Sequence, residues 1–350
     1  MSIALTPPTR LFASDNAAGA HPDVIAALVR ANEGHALAYG QDNYTRDAKQ
    51  LFSKLFNADV RTEFVFGGTG ANVLALACML RPAEAVVCSS WAHISVDETG
   101  APERILGAKL IDLPSIDGKL RPEDLQKVAY MRGNPHHAQP AVVSITQATE
   151  LGTLYSAVEV RALCDLAHEM GMLVHMDGAR LANASAAFGA TPEALRSFTI
   201  DAGVDVLSFG GTKAGIVFGE AVVFLNPNVG ERVEYIRKQV TQLHSKMRFI
   251  SAQYIELLQD GLFFRLGAQA NAMSMALYER TKHHQSLGLV TPPAVNSLYP
   301  HILEPDRIVL QDWSFFWDWD TSTDQVRWMT AWDTTLADIN AFVEGIESVL

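Results

Sequence analysis

The sequence predicts an α/β protein with a mostly parallel sheet, and three features say so. Short apolar runs recur between residues 60 and 225, stretches of helical period separate them, and several runs end in glycine or an isolated charge. The runs that read as strands are Glu63–Phe66, Ala85–Cys88, Lys109–Leu113, Ala141–Thr146, Leu173–Met176, Val204–Phe209 and Ala221–Leu225. Strands separated by helices favour parallel neighbours. Ala221–Leu225 follows its predecessor after a short turn and is expected to run antiparallel.

Among the intervening segments, Ser156–Met170 repeats Val160, Leu163, Cys164 and Ala167 at helical spacing and meets a C-capping Gly171. Glu231–Leu258 reads as a long helical stretch, and Gly261 interrupts the pattern beyond it. Arg307–Trp319 and Val326–Trp332, rich in aromatic and β-branched residues, read as strands, and Asp338–Leu350 as a closing amphipathic helix. The change of pattern near residues 250–270 divides a large domain (21–255) from a smaller C-terminal α+β domain (256–350).

A chain of 350 residues can bury one large core and a smaller one. With 27 basic and 39 acidic residues the net charge is −12, which argues against nucleic acid or an anionic membrane as partner. Cys78, Cys88 and Cys164 each sit in an apolar stretch and read as reduced thiols, and no metal centre is expected. Met1–Arg10 has no leader-like pattern, and the longest apolar run, Val73–Leu80, is too short to span a bilayer. The expected location is the cytoplasm.

Ligands of open α/β sheets sit beyond the carboxyl ends of the strands, and three of these ends are chemically pointed. The first run passes into Gly67-Gly68-Thr69-Gly70 and then an apolar helix. Glycines let backbone N–H groups approach an anion, so Gly68, Thr69 and Gly70 form a candidate phosphate cradle, or else a plain turn at a helix start. The fifth run closes on Asp177-Gly-Ala-Arg180. A carboxylate there needs a cation, such as a protonated pyridine nitrogen or Arg180 itself, and Arg180 otherwise suits a substrate carboxylate. The sixth run leads to Gly-Gly-Thr-Lys213-Ala-Gly. Small neighbours leave room for a flat ring beside the amine, and burial would favour its neutral, nucleophilic form; a solvated surface lysine is the alternative. Anchor, ring-nitrogen partner and Schiff-base lysine, in that order on one sheet edge, are what pyridoxal 5′-phosphate requires. A nicotinamide site fits less well, because no acidic residue closes a strand about 20 residues past the glycines.

These residues resemble the low-specificity L-threonine aldolases, within the aspartate-aminotransferase-like fold type I of pyridoxal-phosphate enzymes. The resemblance runs from Phe12 to about Asp333 through Ser14-Asp15-Asn16, Tyr39-Gly-Gln-Asp42, Gly68-Thr69-Gly-Ala-Asn72, Ala-His93, Asp177-Gly-Ala-Arg180, Gly-Gly-Thr-Lys213, Ser-Lys-Met-Arg248 and Val-Arg327-Trp-Met-Thr-Ala-Trp-Asp333. It implies a seven-stranded, mostly parallel sheet flanked by helices, a smaller C-terminal domain, and an N-terminal segment (1–20) that reaches the active site. It implies that Lys213 carries the cofactor, Asp177 pairs with the ring nitrogen, Gly68 and Thr69 bind phosphate and His93 stacks on the ring. Ser14, Arg180 and Arg327 would hold the amino-acid carboxylate. Arg248 and Tyr39 would come from a neighbouring subunit, making the active unit a homo-oligomer, dimer or tetramer, with shared sites.

The implied reaction is cleavage of threonine-type β-hydroxy amino acids, with phenylserine a further candidate, to glycine and an aldehyde. The loop after the fourth strand, Ile145-Thr-Gln-Ala-Thr149-Glu150, lacks the histidine that some family members carry, and Thr149 stands in its place. His93 is then the first candidate for the base, if it does more than stack. An aminotransferase, a β-eliminating lyase and a non-catalytic binding homologue share the same lysine and remain alternatives.

Overall fold

The computed structural model describes residues 3–350; Met1 and Ser2, part of the N-terminal stretch read as leaderless, lie outside the described residues. All seven expected strands form: β1 (Arg61–Val65), β2 (Glu84–Ser89), β3 (Lys109–Leu113), β4 (Gln139–Thr146), β5 (Leu173–Gly178), β6 (Val206–Phe209) and β7 (Glu220–Phe224). They pair in the order β1-β7-β6-β5-β4-β2-β3. β7 is antiparallel to both neighbours, and the pairs from β6 to β3 are parallel. The carboxyl ends of β1, β2, β4, β5 and β6, and the amino end of β7, therefore share one edge.

The sheet is buried on both faces, as a parallel sheet must be. Val86, Val142, Val206 and Val222 face one apolar cluster, while their neighbours Val87, Val143, Leu207 and Val223 face the other. That alternation is the period-2 geometry of a strand applied to near-continuous apolar runs. The helix Ala157–Glu169 begins at a Ser156–Glu159 capping box and stops where Gly171 takes a positive φ of 67°.

A second, three-stranded antiparallel sheet has the order β8 (Ser297–Leu298), β10 (Gln325–Met329), β9 (Trp317–Asp320). It packs with the helix Leu336–Glu347 around Trp328, Phe316 and Phe342. Phe12 joins this cluster, stacking on Phe342 with ring centres 4.1 Å apart, and its carbonyl accepts the Met329 N–H at 2.8 Å. Residues just beyond the N-terminus are thereby tied to the small sheet while Asp15 reaches the large one. The 20-residue helix Leu262–Thr281 packs against both Leu181–Ala187 and Leu336–Glu347 and so links the two layers.

Two sequence expectations change. Arg307–Trp319 is a strand only at its end; Glu304–Trp313 is a helix, started by Pro305 with Glu304 and Asp306 in its first turn, burying Arg307 and Leu310. Of the aromatic residues that suggested a strand, all but Trp313 lie beyond it. The long stretch Glu231–Leu258 is two helices, Val233–Gln239 and Arg248–Leu258. The chain breaks at Thr241, whose φ is +63°, and the break carries Gln242 to the glycine turn, where its side-chain oxygen accepts the Phe66 N–H at 3.1 Å.

Where Leu262–Thr281 crosses Leu181–Ala187, a side chain on Gly267 would run into the Ala182 backbone. Gly267→Ala is expected to destabilise the fold by about 1–3 kcal/mol, read as a lower denaturant midpoint with unchanged slope.

Candidate active site

The shared sheet edge opens into two adjoining cavities. The larger, of about 440 Å³, is lined by Gly68, Thr69, Asn72, Asp177, Lys213 and Glu220, among others. The smaller, of about 290 Å³, is lined by Ser14, Asp97, Trp317, Trp319 and Arg327. His93, Glu150, Arg180 and Lys213 face both. The volume of the larger is that of a small-molecule or cofactor site.

Each wall follows from a strand end. β1 runs into Gly67, the N-cap of the helix Gly68–Met79, so unpaired N–H groups and the positive end of the helix dipole face the cavity. A side chain built on Gly67 or Gly68 would meet nothing within 4 Å, so this backbone is bare on its open side. Gly70 does not line the cavity; it lies under the Gln242 side chain, which a Cβ there would strike.

Asp177, at the end of the middle strand β5, is 5% exposed. It accepts the Ala179 N–H (2.9 Å) and Asn72 Nδ2 (2.8 Å), and it forms no ion pair among the described residues. Asn72 also donates to Glu98 (2.8 Å), whose same oxygen meets His93 Nδ1 at 2.9 Å. A continuous chain, Asp177–Asn72–Glu98–His93, thus spans the cavity wall. The hydrogen bond that His93 Nδ1 donates to Glu98 holds the imidazole above its ordinary pKa. Behind Asp177, His175 is clasped by Ser144 (2.9 Å) and Ser208 (3.0 Å), and burial pushes it down to about 4, so it is neutral.

Lys213 follows β6 in a single helical turn, Thr212–Ala214. Its amine has no hydrogen-bond or ion-pair partner among the described residues, and burial, with Arg180 nearby, lowers its pKa. Arg180 is held by a two-pronged pair with Asp15, at 2.8 and 3.1 Å. Burial works to raise Asp15, but Arg180 and Lys213 prevail and hold it at about 2. Arg327 lies 5.1 Å over the Trp319 ring, with a buried Nε that has no acceptor among the described residues. Ser14 and Arg327 both line the smaller cavity.

Besides Gly70, three predicted site residues lie apart from these cavities. Tyr39 is half exposed beneath Lys238, and Arg248 donates to the Gly34 carbonyl at 3.2 Å. Thr149 is buried the other way, sharing a 2.7 Å hydrogen bond with the Thr153 hydroxyl. Conversely, the sequence reading gave no role to Asp15, Asn72, Glu98, Glu150 or Glu220. Glu220 accepts the Gly211 N–H at 2.5 Å and burial pushes it up to about 7.

The donor set suits pyridoxal phosphate: bare glycine N–H groups for the phosphate, a buried carboxylate without an ion-pair partner for a ring cation, and a buried, unpartnered amine of lowered pKa for the aldehyde. Asn72 Oδ1, Glu98 Oε2 and Glu150 Oε2 are buried without partners among the described residues, as expected of groups that await a polar ligand. Independently of any ligand, Glu98→Gln should lower the His93 pKa, because a neutral amide cannot stabilise the imidazolium. Titration of the His93 ring protons by NMR in the apoprotein reads this directly.

The chain matches the model of the beta-eliminating lyase family over residues 12–302. It is 40% identical to a low specificity L-threonine aldolase from a Pseudomonas species and 38% identical to that from Pseudomonas aeruginosa, each over 99% of both chains. A threonine aldolase structure from Leishmania major superposes with a TM-score of 0.88 at 32% identity, covering 96% of this chain and 98% of that one. The chain belongs to the beta-eliminating lyase family and, within it, to the low specificity L-threonine aldolases.

Proposed function

We propose that the protein cleaves L-threonine, L-allo-threonine and related β-hydroxy-α-amino acids, phenylserine among them, to glycine and an aldehyde. The observation that carries this reading is the meeting, around two joined cavities, of Lys213 and Asp177 with the cationic pair Arg180 and Arg327. Pyridoxal 5′-phosphate, held there, supplies a conjugated ring that accepts the electron pair released at Cα.

On this reading Lys213 offers its amine to the cofactor aldehyde. Gly68 and Thr69 give N–H donors to the phosphate, and Asp177 keeps a proton on the ring nitrogen. Arg180, Arg327 and Ser14 hold the substrate carboxylate. Asp15 fixes the Arg180 guanidinium so that only one of its edges is left to turn to a ligand. A clamped carboxylate restricts rotation of the substrate and so selects which bond at Cα stands ready to break. His93, tethered through Nδ1, keeps its ring in one plane against the cofactor.

Arg248 and Tyr39 serve the site of a neighbouring subunit in a homo-oligomer. Their distance from their own chain's cavities supports that placement. The N-terminal segment 1–20 belongs functionally with the site, the large domain (21–255) carries the cofactor, and the small domain (256–350) contributes Arg327. Among the described residues no helix is long and apolar enough to cross a membrane, and a cytoplasmic location fits the acidic composition.

The activity test is direct: threonine should yield acetaldehyde and glycine, whereas a keto acid would favour an aminotransferase. Borohydride reduction should leave a pyridoxyl group on Lys213, and Lys213→Ala should abolish both the adduct and turnover. A second test addresses subunit sharing. Lys213→Ala and Arg248→Ala, each inactive alone, should regain roughly a quarter of wild-type activity when refolded together, because half the dimers are hybrids with one intact site. No recovery would place Arg248 outside the partner's site.

A further inference from the structure

We propose that Glu150 is the base that takes the β-hydroxyl proton of the substrate. The proposal rests on the aldol reading above and assigns a step that reading leaves without an owner.

Glu150 follows β4 by four residues and faces both cavities. One of its oxygens is fully engaged: Oε1 accepts the His93 backbone N–H at 2.8 Å and the Thr146 hydroxyl at 2.9 Å. The other, Oε2, is sealed from solvent and has no partner among the described residues. The carboxyl group is therefore fixed in orientation, with one oxygen left unpaired. Its backbone is anchored as well, since its carbonyl accepts Tyr299 Oη at 2.7 Å. A buried oxygen left unpaired costs free energy unless a ligand satisfies it.

The two other candidates are worse placed. Thr149 has its hydroxyl committed to Thr153 and does not line the cavities. His93 has one of its two ring nitrogens, Nδ1, tied to Glu98, and that hydrogen bond raises its pKa. The charged groups that share Glu150's cavities include Asp177, Glu98, Asp97, Lys213, Arg180, Arg327 and His93, with Tyr299 behind. Burial, reinforced by Asp177, pushes Glu150 up to about 7, so near neutral pH it can both take a proton and give it back.

The step balances within the substrate. The β O–H bond breaks and its proton passes to Oε2. The oxygen's electron pair becomes the second bond of the aldehyde carbonyl as the Cα–Cβ bond breaks. The released pair is protonated at Cα to give glycine, and Glu150 returns its proton to the site, so nothing is oxidised, reduced or left over.

Glu150→Gln keeps the shape and removes the base. In the holoenzyme, threonine cleavage should fall by ~10²–10⁴-fold. Exchange of the glycine α-hydrogen with deuterated water, which involves no hydroxyl, should stay within a few-fold of wild type. Glu150→Asp should recover part of the cleavage. In the apoprotein, the infrared difference between wild type and Glu150→Gln should show one protonated buried carboxyl that titrates near neutral pH, the Glu220 band being common to both. Cleavage at the wild-type rate in Glu150→Gln would overturn the proposal. So would a parallel loss of glycine exchange, which would make Glu150 a support for His93, or a carboxyl already ionised well below neutral pH. A wild-type protein that exchanges glycine but releases no aldehyde from threonine would instead overturn the aldol reading beneath it.

Discussion

The site is organised by a carboxylate placed where it lacks a counter-charge. Asp177 closes the middle strand of a sheet buried on both faces, and its two oxygens meet an amide side chain and a backbone N–H, neither of them cationic. Burying an ion this way is costly unless a positive group arrives. His175, two residues earlier on the same strand and clasped by two serines, is held neutral and does not supply it. The fold thus carries a built-in demand for a cation in front of Asp177, and on the proposed reading a protonated pyridine ring would meet that demand while gaining a partner that keeps it protonated. Asn72 serves Asp177 and Glu98 alike, so the orientation of His93 is coupled to the same carboxylate through one amide.

Around that centre the acids divide by environment. Asp15 is buried as deeply as any, yet Arg180 and Lys213 keep it ionised to about 2, and in return it holds the guanidinium fast. Glu150 and Glu220 form no ion pair among the described residues, and burial carries both to about 7. Acids of such different proton affinity around one site provide a fixed negative charge and a movable proton from the same residue class, a separation that environment alone accomplishes.

The strands were legible because they are short, apolar and bounded by glycine or charge; Gly67–Gly70, Asp177 and Lys213 were legible because each interrupts or follows such a run. The helix Glu304–Trp313 was not, since the aromatic run just after it outweighed Pro305 and the acidic first turn. Gly70 and Thr149 sat in the right motifs but face away, one under Gln242 and the other toward Thr153. Motif membership fixes the backbone path; it does not fix which side of a turn each residue presents.

The residues that sequence reasoning passed over share a physical cause. Asn72 is one turn inside a helix, Glu98 follows a four-residue helix, and Asp15 arrives from the N-terminus, so none ends a strand. Glu220 is the most instructive. A search along carboxyl ends skips it because β7 runs backwards, and in a reversed strand it is the first residue that reaches the active edge. The antiparallel insertion therefore does more than complete the sheet. It delivers a buried acid beside Lys213 that an all-parallel sheet of the same strands would have carried to the opposite side of the molecule.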